Sequence, residues 1–210
     1  MMRTVVYLNT ILVLFLLLAG CGQENKEKAP RYENNRTELP SSQPSVPISD
    51  LHPHPRTFHI RDIDNRKTLL EFQGMNGTFR RIRQPIVILT LLSDRCAPCR
   101  GMLPYLGRLQ RSNDDDLFLI GILLKSDLDP TGVRRLMRHY ESNFFLSIHP
   151  DNETLARYLT RQLNLGENYP LPLTLIFKNG KYVMNIQGAV PYEMLQTLVD
   201  QLKKPQEKKE

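Results

Sequence analysis

The sequence IVILTLLSDRCAPCR at residues 86–100 decides the fold of this chain. Its first seven residues are apolar or β-branched without alternation, which is typical of a strand buried on both faces of a sheet. Pro98 follows shortly, at a position where proline favours the start of a helix. The segment therefore predicts a central β-strand that passes through a short turn into a helix, with Cys96 and Cys99 at the junction.

The rest of the chain contains further strand-like and helix-like segments. Alternating patterns favour a hairpin before the central strand, and Asn179-Gly180 predicts a second hairpin near the C-terminus. Asp151 is a candidate N-cap for one helix. The order of elements predicts an α/β fold with a mixed central sheet flanked by helices. The predicted strands are 57–61, 67–72, 86–92, 117–124, 144–148, 173–178 and 182–187, and the predicted helices are 98–110, 131–140, 152–163 and 191–202.

The Cys-Ala-Pro-Cys motif has the arrangement that a reactive dithiol requires. Unpaired backbone N–H groups in the first helical turn favour an anion, so the pKa of Cys96 should fall below the ordinary thiol value of about 8.5. Arg95 would act in the same direction if its guanidinium lies near the sulfur. Cys99 lies one helical turn further on, close enough to form a disulfide with Cys96. We therefore predict that Cys96 attacks a disulfide and that Cys99 resolves the mixed disulfide.

A zinc site and a purely structural disulfide both fit the CxxC motif less well. A zinc site needs a second pair of ligands, but the third cysteine of the chain is Cys21, and His139 and His149 lack the short spacing of a zinc finger. A structural disulfide between positions three apart would close a very short loop, which contributes little through chain entropy. The sequence therefore predicts a redox-active pair with no bound metal and no separate cofactor.

The N-terminal residues predict export and anchoring. Residues 1–20 contain one charge and an apolar run shorter than the roughly 20 residues of a spanning helix, as in a signal peptide. Leu-Ala-Gly-Cys at residues 18–21 resembles the lipobox of bacterial lipoproteins, whose cysteine is acylated. The resemblance implies a covalent lipid on Cys21 and an extracytoplasmic, membrane-anchored protein, which also explains the odd number of cysteines. The remaining residues of 21–56 predict a Pro-rich tether, and residues 205–210 predict a disordered tail.

Composition and charge exclude several classes of protein. The chain has 210 residues, of which 40% are apolar and 24% charged, so it is neither a disordered polyelectrolyte nor a polytopic membrane protein. The formal net charge of +6 comes from scattered lysines and arginines, with the densest run at Arg80, Arg81 and Arg83. We therefore expect a mildly basic surface and no nucleic-acid partner. Residues 57–204 have the length of a single domain.

Residues 57–204 resemble the thioredoxin superfamily, and within it the membrane-tethered TlpA/ResA-like thiol:disulfide oxidoreductases. The resemblance rests on the 86–100 segment with Pro104 in its helix, on Leu-Pro before the strand 173–177, on Lys-Asn-Gly-Lys at 178–181 and on Gly-Ala at 188–189. In the family, the proline that matches Pro172 is cis and faces the dithiol, so that the backbone of the preceding residue, here Leu171, pairs with a bound polypeptide. The resemblance thus implies catalytic roles for the two cysteines and a substrate-binding surface that includes Arg95, Leu171 and Pro172.

The resemblance further implies a reductase of disulfides in exported proteins, such as the haem-attachment cysteines of apocytochromes c. It also implies a membrane electron donor that returns the reductase to its reduced form.

The chain departs from the family at several positions. It has no Trp, so Arg95 precedes the first cysteine, and Thr90 replaces the buried acid of thioredoxins. A hydroxyl is not a general base near neutral pH, so proton transfer from Cys99 must use water or another group. Lys125 stands where ResA-like proteins carry a Glu at the end of a strand. The candidate groups for proton transfer are Asp94, Glu71, Lys125 and Asp127.

Several questions stay open at the level of sequence. Ala97-Pro98 does not determine whether the dithiol is a reductant or an oxidant, because related dithiols differ in potential by about 150 mV. The alternative function is copper binding by a metallochaperone-like thioredoxin fold, which needs a third soft or imidazole ligand near the dithiol. The client, the electron donor, the membrane and the oligomeric state are likewise undetermined.

Overall fold

A computed structural model describes residues 55–204 of the chain. The predicted signal peptide, Cys21, the tether up to residue 54 and the predicted tail lie outside these residues. The strands are β1 (Arg56–Arg61), β2 (Lys67–Gln73), β3 (Asn76–Phe79), β4 (Ile86–Leu92), β5 (Leu117–Leu123), β6 (Phe145–Ser147), β7 (Leu173–Lys178) and β8 (Lys181–Gln187). The helices are α1 (Ala97–Ser112), α2 (Pro130–His139), α3 (Asp151–Gln162) and α4 (Tyr192–Lys203). Between residues 55 and 204, no helix is long and apolar enough to cross a membrane.

Five strands form the central sheet, in the order β6-β5-β4-β7-β8. Strand β4 pairs in parallel with β5 and antiparallel with β7, so the sheet is mixed. All seven residues of β4 are buried, because its two faces contribute to two cores. Ile88 and its neighbours on one face pack with α1, α2 and α4, whereas Leu89 and its neighbours on the other face pack with α3 and the N-terminal strands. The predicted α/β fold with a mixed central sheet flanked by helices is confirmed.

The first three strands form a separate antiparallel sheet. The sequence predicts the hairpin of β1 and β2, which the structure confirms, but it does not predict β3, whose Asn-Gly-Thr-Phe lacks an alternating apolar pattern. The ring of Phe72 packs against that of Phe177 on β7, with 6.0 Å between the ring centroids. The N–H of Gly77 on β3 donates to the carbonyl oxygen of Gly180 at 2.8 Å. These contacts hold the three-stranded sheet against the central sheet.

The predicted elements agree with the structure to within two residues at their ends. The prediction of Asp151 as an N-cap is wrong, because α3 begins at Asp151 and Pro150 precedes it without a side-chain cap. The carboxylate of Asp151 instead accepts the backbone N–H of His59 on β1 at 3.0 Å. Its side chain therefore ties the start of α3 to the N-terminal sheet.

Candidate active site

Cys96 and Cys99 lie where β4 passes into α1. Cys96 is the N-cap residue of α1 and has an extended backbone, with φ of −87° and ψ of 112°. Pro98 stands in the first turn of α1, where its missing N–H leaves no helical hydrogen bond unmade. The two cysteines form a disulfide, with their Cα atoms 5.2 Å apart. The start of the helix thus brings together the pair that the sequence predicts.

The two sulfur atoms have different surroundings. Cys96 is partly buried, whereas Cys99 is only 1% exposed and packs in the core beside Met102 and Leu103. The backbone N–H of Cys99 donates to the Sγ of Cys96 at 3.2 Å. In the reduced protein, the same N–H is placed to donate to a thiolate on Cys96. Cys96 is therefore the more exposed of the two cysteines, as expected for the attacking sulfur, and Cys99 lies behind it.

The loop before β7 lies against the dithiol. The peptide bond between Leu171 and Pro172 is cis, as the resemblance implies. The carbonyl oxygen of Leu171 lies 3.5 Å from the Sγ of Cys96, across 75 positions of sequence. The carbonyl oxygen of Pro172 accepts the N–H of Gly188 at 2.8 Å, so the end of β8 holds the loop in place. The structure therefore places the predicted substrate-binding residues Leu171 and Pro172 beside the predicted catalytic cysteines.

The guanidinium of Arg95 has a partner other than the sulfur. It forms an ion pair with Asp127, in the loop between β5 and α2. The two side chains are 60% and 85% exposed, so water screens both charges. The sequence suggests that the Arg95 charge stabilises a thiolate on Cys96. In the structure, the ion pair with Asp127 and the surrounding water weaken the electrostatic effect of Arg95 on the sulfur. Arg95 stays a predicted substrate contact at the rim of the site.

The carboxylates predicted for proton transfer have different surroundings. Glu71 lies on β2 and pairs with Arg80, with Oε1 3.1 Å from Nε, and Asp127 pairs with Arg95. Asp94 precedes the dithiol by two residues, and its Oδ1 atom is buried without a hydrogen-bond partner among residues 55–204. Of these three carboxylates, Asp94 is thus the one that lies in the β4–α1 turn and has an uncompensated buried oxygen.

The fourth candidate, Lys125, lies just beyond the end of β5, and its backbone contacts a residue that is not predicted from the sequence. The Oε1 atom of Glu153 accepts the backbone N–H of Lys125 at 2.7 Å. Burial raises the pKa of the Tyr169 phenol, and the nearby Glu153 carboxylate raises it further. Tyr169 lies in the same loop as Leu171, two residues earlier in the chain. The sequence has Lys125 rather than a Glu at the end of β5, but the Glu153 carboxylate of α3 lies near that point.

Thr90 stands where thioredoxins have a buried acid, and it is fully buried in β4. Its hydroxyl oxygen lies 3.2 Å from that of Thr174 on β7, which is also fully buried. The two residues are direct partners in the antiparallel register. The sequence points to Thr90 but not to Thr174, because only the register of β4 with β7 brings them together. This point of the sheet therefore holds a pair of neutral hydroxyls instead of an acid.

The fold has counterparts among solved structures. No family model matches the sequence, and comparison with the curated proteins gives no match. A thiol:disulfide interchange protein of the thioredoxin family from Chlorobium tepidum is similar with a TM-score of 0.50 and 16% identity, over 73% of this chain and 98% of that one. StoA from Bacillus subtilis is similar with a TM-score of 0.49 and 16% identity, over 68% and 96%. A secreted Mycobacterium tuberculosis disulfide oxidoreductase, homologous to DsbE of Escherichia coli, has a TM-score of 0.48 and 16% identity, over 69% and 95%.

At 16% identity, the similarity to the Chlorobium tepidum protein shows the fold alone. The chain has a thioredoxin-like fold, in which the mixed sheet, the helix that follows its central strand and the cis-prolyl loop are all present. What this fold does in this chain depends on the residues at the β4–α1 junction.

Proposed function

We propose that this protein is a thiol:disulfide oxidoreductase that works through Cys96 and Cys99. The observation that carries the proposal is the asymmetry of the dithiol. An accessible sulfur at the N-cap of α1 accepts a backbone N–H, and a buried sulfur lies within bonding distance behind it. The similarity in fold to the Chlorobium tepidum thiol:disulfide interchange protein supports the same chemistry.

The proposed reaction reduces a disulfide in a client protein. The Cys96 thiolate attacks one sulfur of the client disulfide, which breaks that bond, forms a mixed disulfide and releases the other client sulfur as a thiolate. Cys99 then loses its proton and attacks the Sγ of Cys96. This second step releases the second client thiolate and leaves the Cys96–Cys99 disulfide. Two electrons pass to the client, and an external thiol or dithiol must return them to the protein before the next cycle.

The loop before β7 supports a way to hold the client. The carbonyl oxygen of Leu171 lies beside the Sγ of Cys96, where an extended client backbone could donate an N–H to it. Such a bond would place the client cysteine next to the attacking sulfur, with Arg95 at the rim. The requirement for an extended segment would favour clients that are not yet folded.

We further propose that the protein is exported and held at the cell envelope by a lipid on Cys21, as a TlpA/ResA-like reductase. The lipobox-like sequence and the preceding apolar run support this location. The proposed clients are exported proteins with disulfides, including the haem-attachment cysteines of apocytochromes c, and the proposed source of electrons is a membrane donor.

The alternative function, copper binding, has no supporting observation in the described part of the chain. Among residues 55–204, no group of three or more His, Cys, Asp or Glu side chains is arranged to hold a metal ion. A third ligand beside the dithiol is the feature that the copper hypothesis requires.

The experiment is a disulfide-reduction assay on the full chain, with insulin as the client and an excess of a small dithiol as reductant. Cys96→Ser should reduce insulin no faster than the small dithiol does alone. In a separate incubation without the small dithiol, pre-reduced Cys99→Ser should accumulate a mixed disulfide between Cys96 and the client, visible by mass spectrometry and reversed when dithiol is added. Activity of Cys96→Ser at the level of the unchanged chain would overturn the proposal.

Cys21→Ser is the matched cysteine control, because it changes the one thiol assigned to lipid. It should keep full reductase activity in detergent while releasing the protein from the membrane fraction of cells. The reduction potential of the Cys96–Cys99 couple, measured against glutathione, would then assign the direction of exchange. A potential near −270 mV, as in thioredoxin, fits a reductant, and one near −120 mV fits an oxidant.

A further inference from the structure

A groove of about 640 Å³ lies on the N-terminal sheet, away from the dithiol. Its walls come from β1, β2, the turn after β3 and the segment after β6. Four of its lining residues alternate with buried positions on these strands, so their side chains point away from the core: His59 and Arg61 on β1, and Lys67 and Leu69 on β2. No Asp or Glu of the described chain lines the groove, which has six basic residues: His59, Arg61, Lys67, Arg80, Arg81 and His149.

Two of these cations oppose each other directly. Arg61 and Lys67 are partners in the antiparallel register of β1 and β2, so their side chains project from the same face of the sheet. Like charges at directly opposed positions of a β-ladder repel each other. An anion bound between them would remove this repulsion.

The fold leaves three of these six basic residues without a counter-ion, because His59 and His149 lie beside the Asp151 carboxylate. Arg80 is paired with Glu71, but among residues 55–204 no ion pair includes Arg61, Lys67 or Arg81. The Nε–H of Arg61 is moreover buried and has no hydrogen-bond acceptor in the described structure. A buried guanidinium N–H without an acceptor is costly, because folding removes its water. The described structure therefore supplies no carboxylate for Arg61 and no acceptor for its Nε–H.

Two imidazoles complete the rim of the groove. The rings of His59 and His149 lie 6.2 Å apart between centroids, and Asp151 holds both residues. Its carboxylate accepts the backbone N–H of His59, and its own N–H donates to the Nδ1 atom of His149 at 3.1 Å. Because Nδ1 of His149 accepts, the neutral ring carries its proton on Nε2. His149 is therefore a hydrogen-bond donor even when it is uncharged.

We propose that this groove binds a phosphate group carried by an organic ligand. A phosphate monoester or headgroup offers several acceptor oxygens, which match three unpaired cations and an imidazole donor better than a single carboxylate does. The groove is larger than an inorganic phosphate ion requires, and the side chains of Leu69 and Pro150 add apolar surface for the organic part. The phosphate could belong to a soluble ester or to a lipid headgroup at the membrane. This binding is separate from the proposed disulfide exchange.

The test is a titration of the full chain in non-ionic detergent with glycerol 1-phosphate, with chloride keeping the ionic strength constant. The side-chain NMR signals of His59 and His149 should shift in a saturable way, and glycerol should have no effect. The triple variant Arg61→Gln, Lys67→Gln, Arg81→Gln should bind at least about tenfold more weakly, which corresponds to about 1.4 kcal/mol. The exposed variant Lys67→Gln alone should weaken binding severalfold, which keeps the test valid if the triple variant does not fold.

A second triple variant is the matched control: Arg135→Gln, Arg138→Gln and Lys181→Gln remove three exposed cations from α2 and β8. It changes the net charge equally and should bind as the unchanged chain does. The proposal is overturned if the unchanged chain shows no saturable shift with either glycerol 1-phosphate or phosphatidylglycerol, or if both triple variants lose affinity equally, which would indicate long-range charge alone.

A further arm identifies the source of the phosphate. The unchanged chain is placed in phosphatidylcholine nanodiscs with or without phosphatidylglycerol. A histidine shift that requires phosphatidylglycerol assigns the groove to a lipid headgroup, and a shift that appears only with glycerol 1-phosphate assigns it to a soluble ester. No shift with either ligand overturns the proposal.

Discussion

The backbone N–H of Cys99 donates a hydrogen bond to the Sγ atom of Cys96, with 3.2 Å between nitrogen and sulfur. The bond exists because α1 begins between the two cysteines, so that the amide of the second points back at the side chain of the first. It places the two sulfur atoms in different surroundings although they lie one helical turn apart.

The reduced thiols should therefore differ in reactivity. We expect iodoacetamide to modify Cys96 much faster than the buried Cys99, with the pH midpoint of the Cys96 rate below the ordinary thiol pKa of about 8.5. Mass spectrometry of quenched samples measures both rates. In guanidinium chloride the two rates should become similar, and equal rates in the native protein would contradict the assignment of roles.

Two glycines of α1 should respond in opposite ways to a methyl group. A Cβ at Gly107 would lie 2.8 Å from the Cα of Ser142, so Gly107→Ala should destabilise the fold by about 1–3 kcal/mol. A Cβ at Gly101 meets no atom of the described residues within 4 Å, so Gly101→Ala should stabilise the helix by about 0.5–1 kcal/mol. Denaturant unfolding measures both changes. A Gly107→Ala variant as stable as the unchanged chain would show that the approach of α1 to the loop after α2 is not tight.

Asn152 should be a large contributor to stability. Its Nδ2 donates to the carbonyl oxygens of Leu123 at 3.0 Å and Ser147 at 2.8 Å, and its Oδ1 accepts from the hydroxyl of Ser147 at 2.6 Å. Asn152→Ala leaves these buried groups without partners and should cost about 2–3 kcal/mol in the free energy of unfolding. The exposed Asn168→Ala is the control and should change it by less than about 0.5 kcal/mol. Equal effects would contradict the prediction.

The hydroxyl pair of Thr90 and Thr174 should behave as a coupled unit. Either Thr→Val substitution leaves one buried hydroxyl without its partner and should cost about 1–3 kcal/mol. The double substitution should cost less than the sum of the two, because it removes both polar groups with little change of shape. A double-mutant cycle from denaturant unfolding measures the coupling, and strict additivity would argue against the hydrogen bond.

The ion pair of Arg95 with Asp127 should contribute little to the free energy of unfolding and should weaken the effect of the Arg95 charge on the Cys96 thiol. Because both side chains are exposed, Asp127→Asn should change the free energy of unfolding by less than about 1 kcal/mol. It should also release the Arg95 charge and lower the pKa of Cys96, measured as an earlier rise of the alkylation rate with pH. The double variant Arg95→Gln, Asp127→Asn should reverse that shift. A pKa unchanged in Asp127→Asn would show that Arg95 does not act on the sulfur.

The sequence predicts most of the fold because its elements carry local patterns. The buried run of β4, the helix that starts near Pro98 and the Asn179-Gly180 turn each follow from neighbouring residues. The sequence does not predict strand β3, because a short strand that contains Gly has no hydrophobic periodicity. Its position depends on the hydrogen bond from the N–H of Gly77 to the carbonyl oxygen of Gly180. The N-cap prediction for Asp151 fails because a residue of β1, distant in the chain, offers the carboxylate an N–H.

The sequence by itself determined the dithiol, since the two cysteines are three positions apart and a single helical turn brings them together whatever the rest of the chain does. Only the tertiary structure decided what surrounds them. The carbonyl of Leu171 at the sulfur, the hydroxyl of Thr174 beside Thr90 and the pairing of Arg95 with Asp127 all depend on sheet register and loop placement. The same holds for the basic groove. The sequence shows the basic run that includes Arg80 and Arg81, but only the packing of β1, β2, the turn after β3 and the segment after β6 brings it together with Arg61, Lys67 and the two histidines.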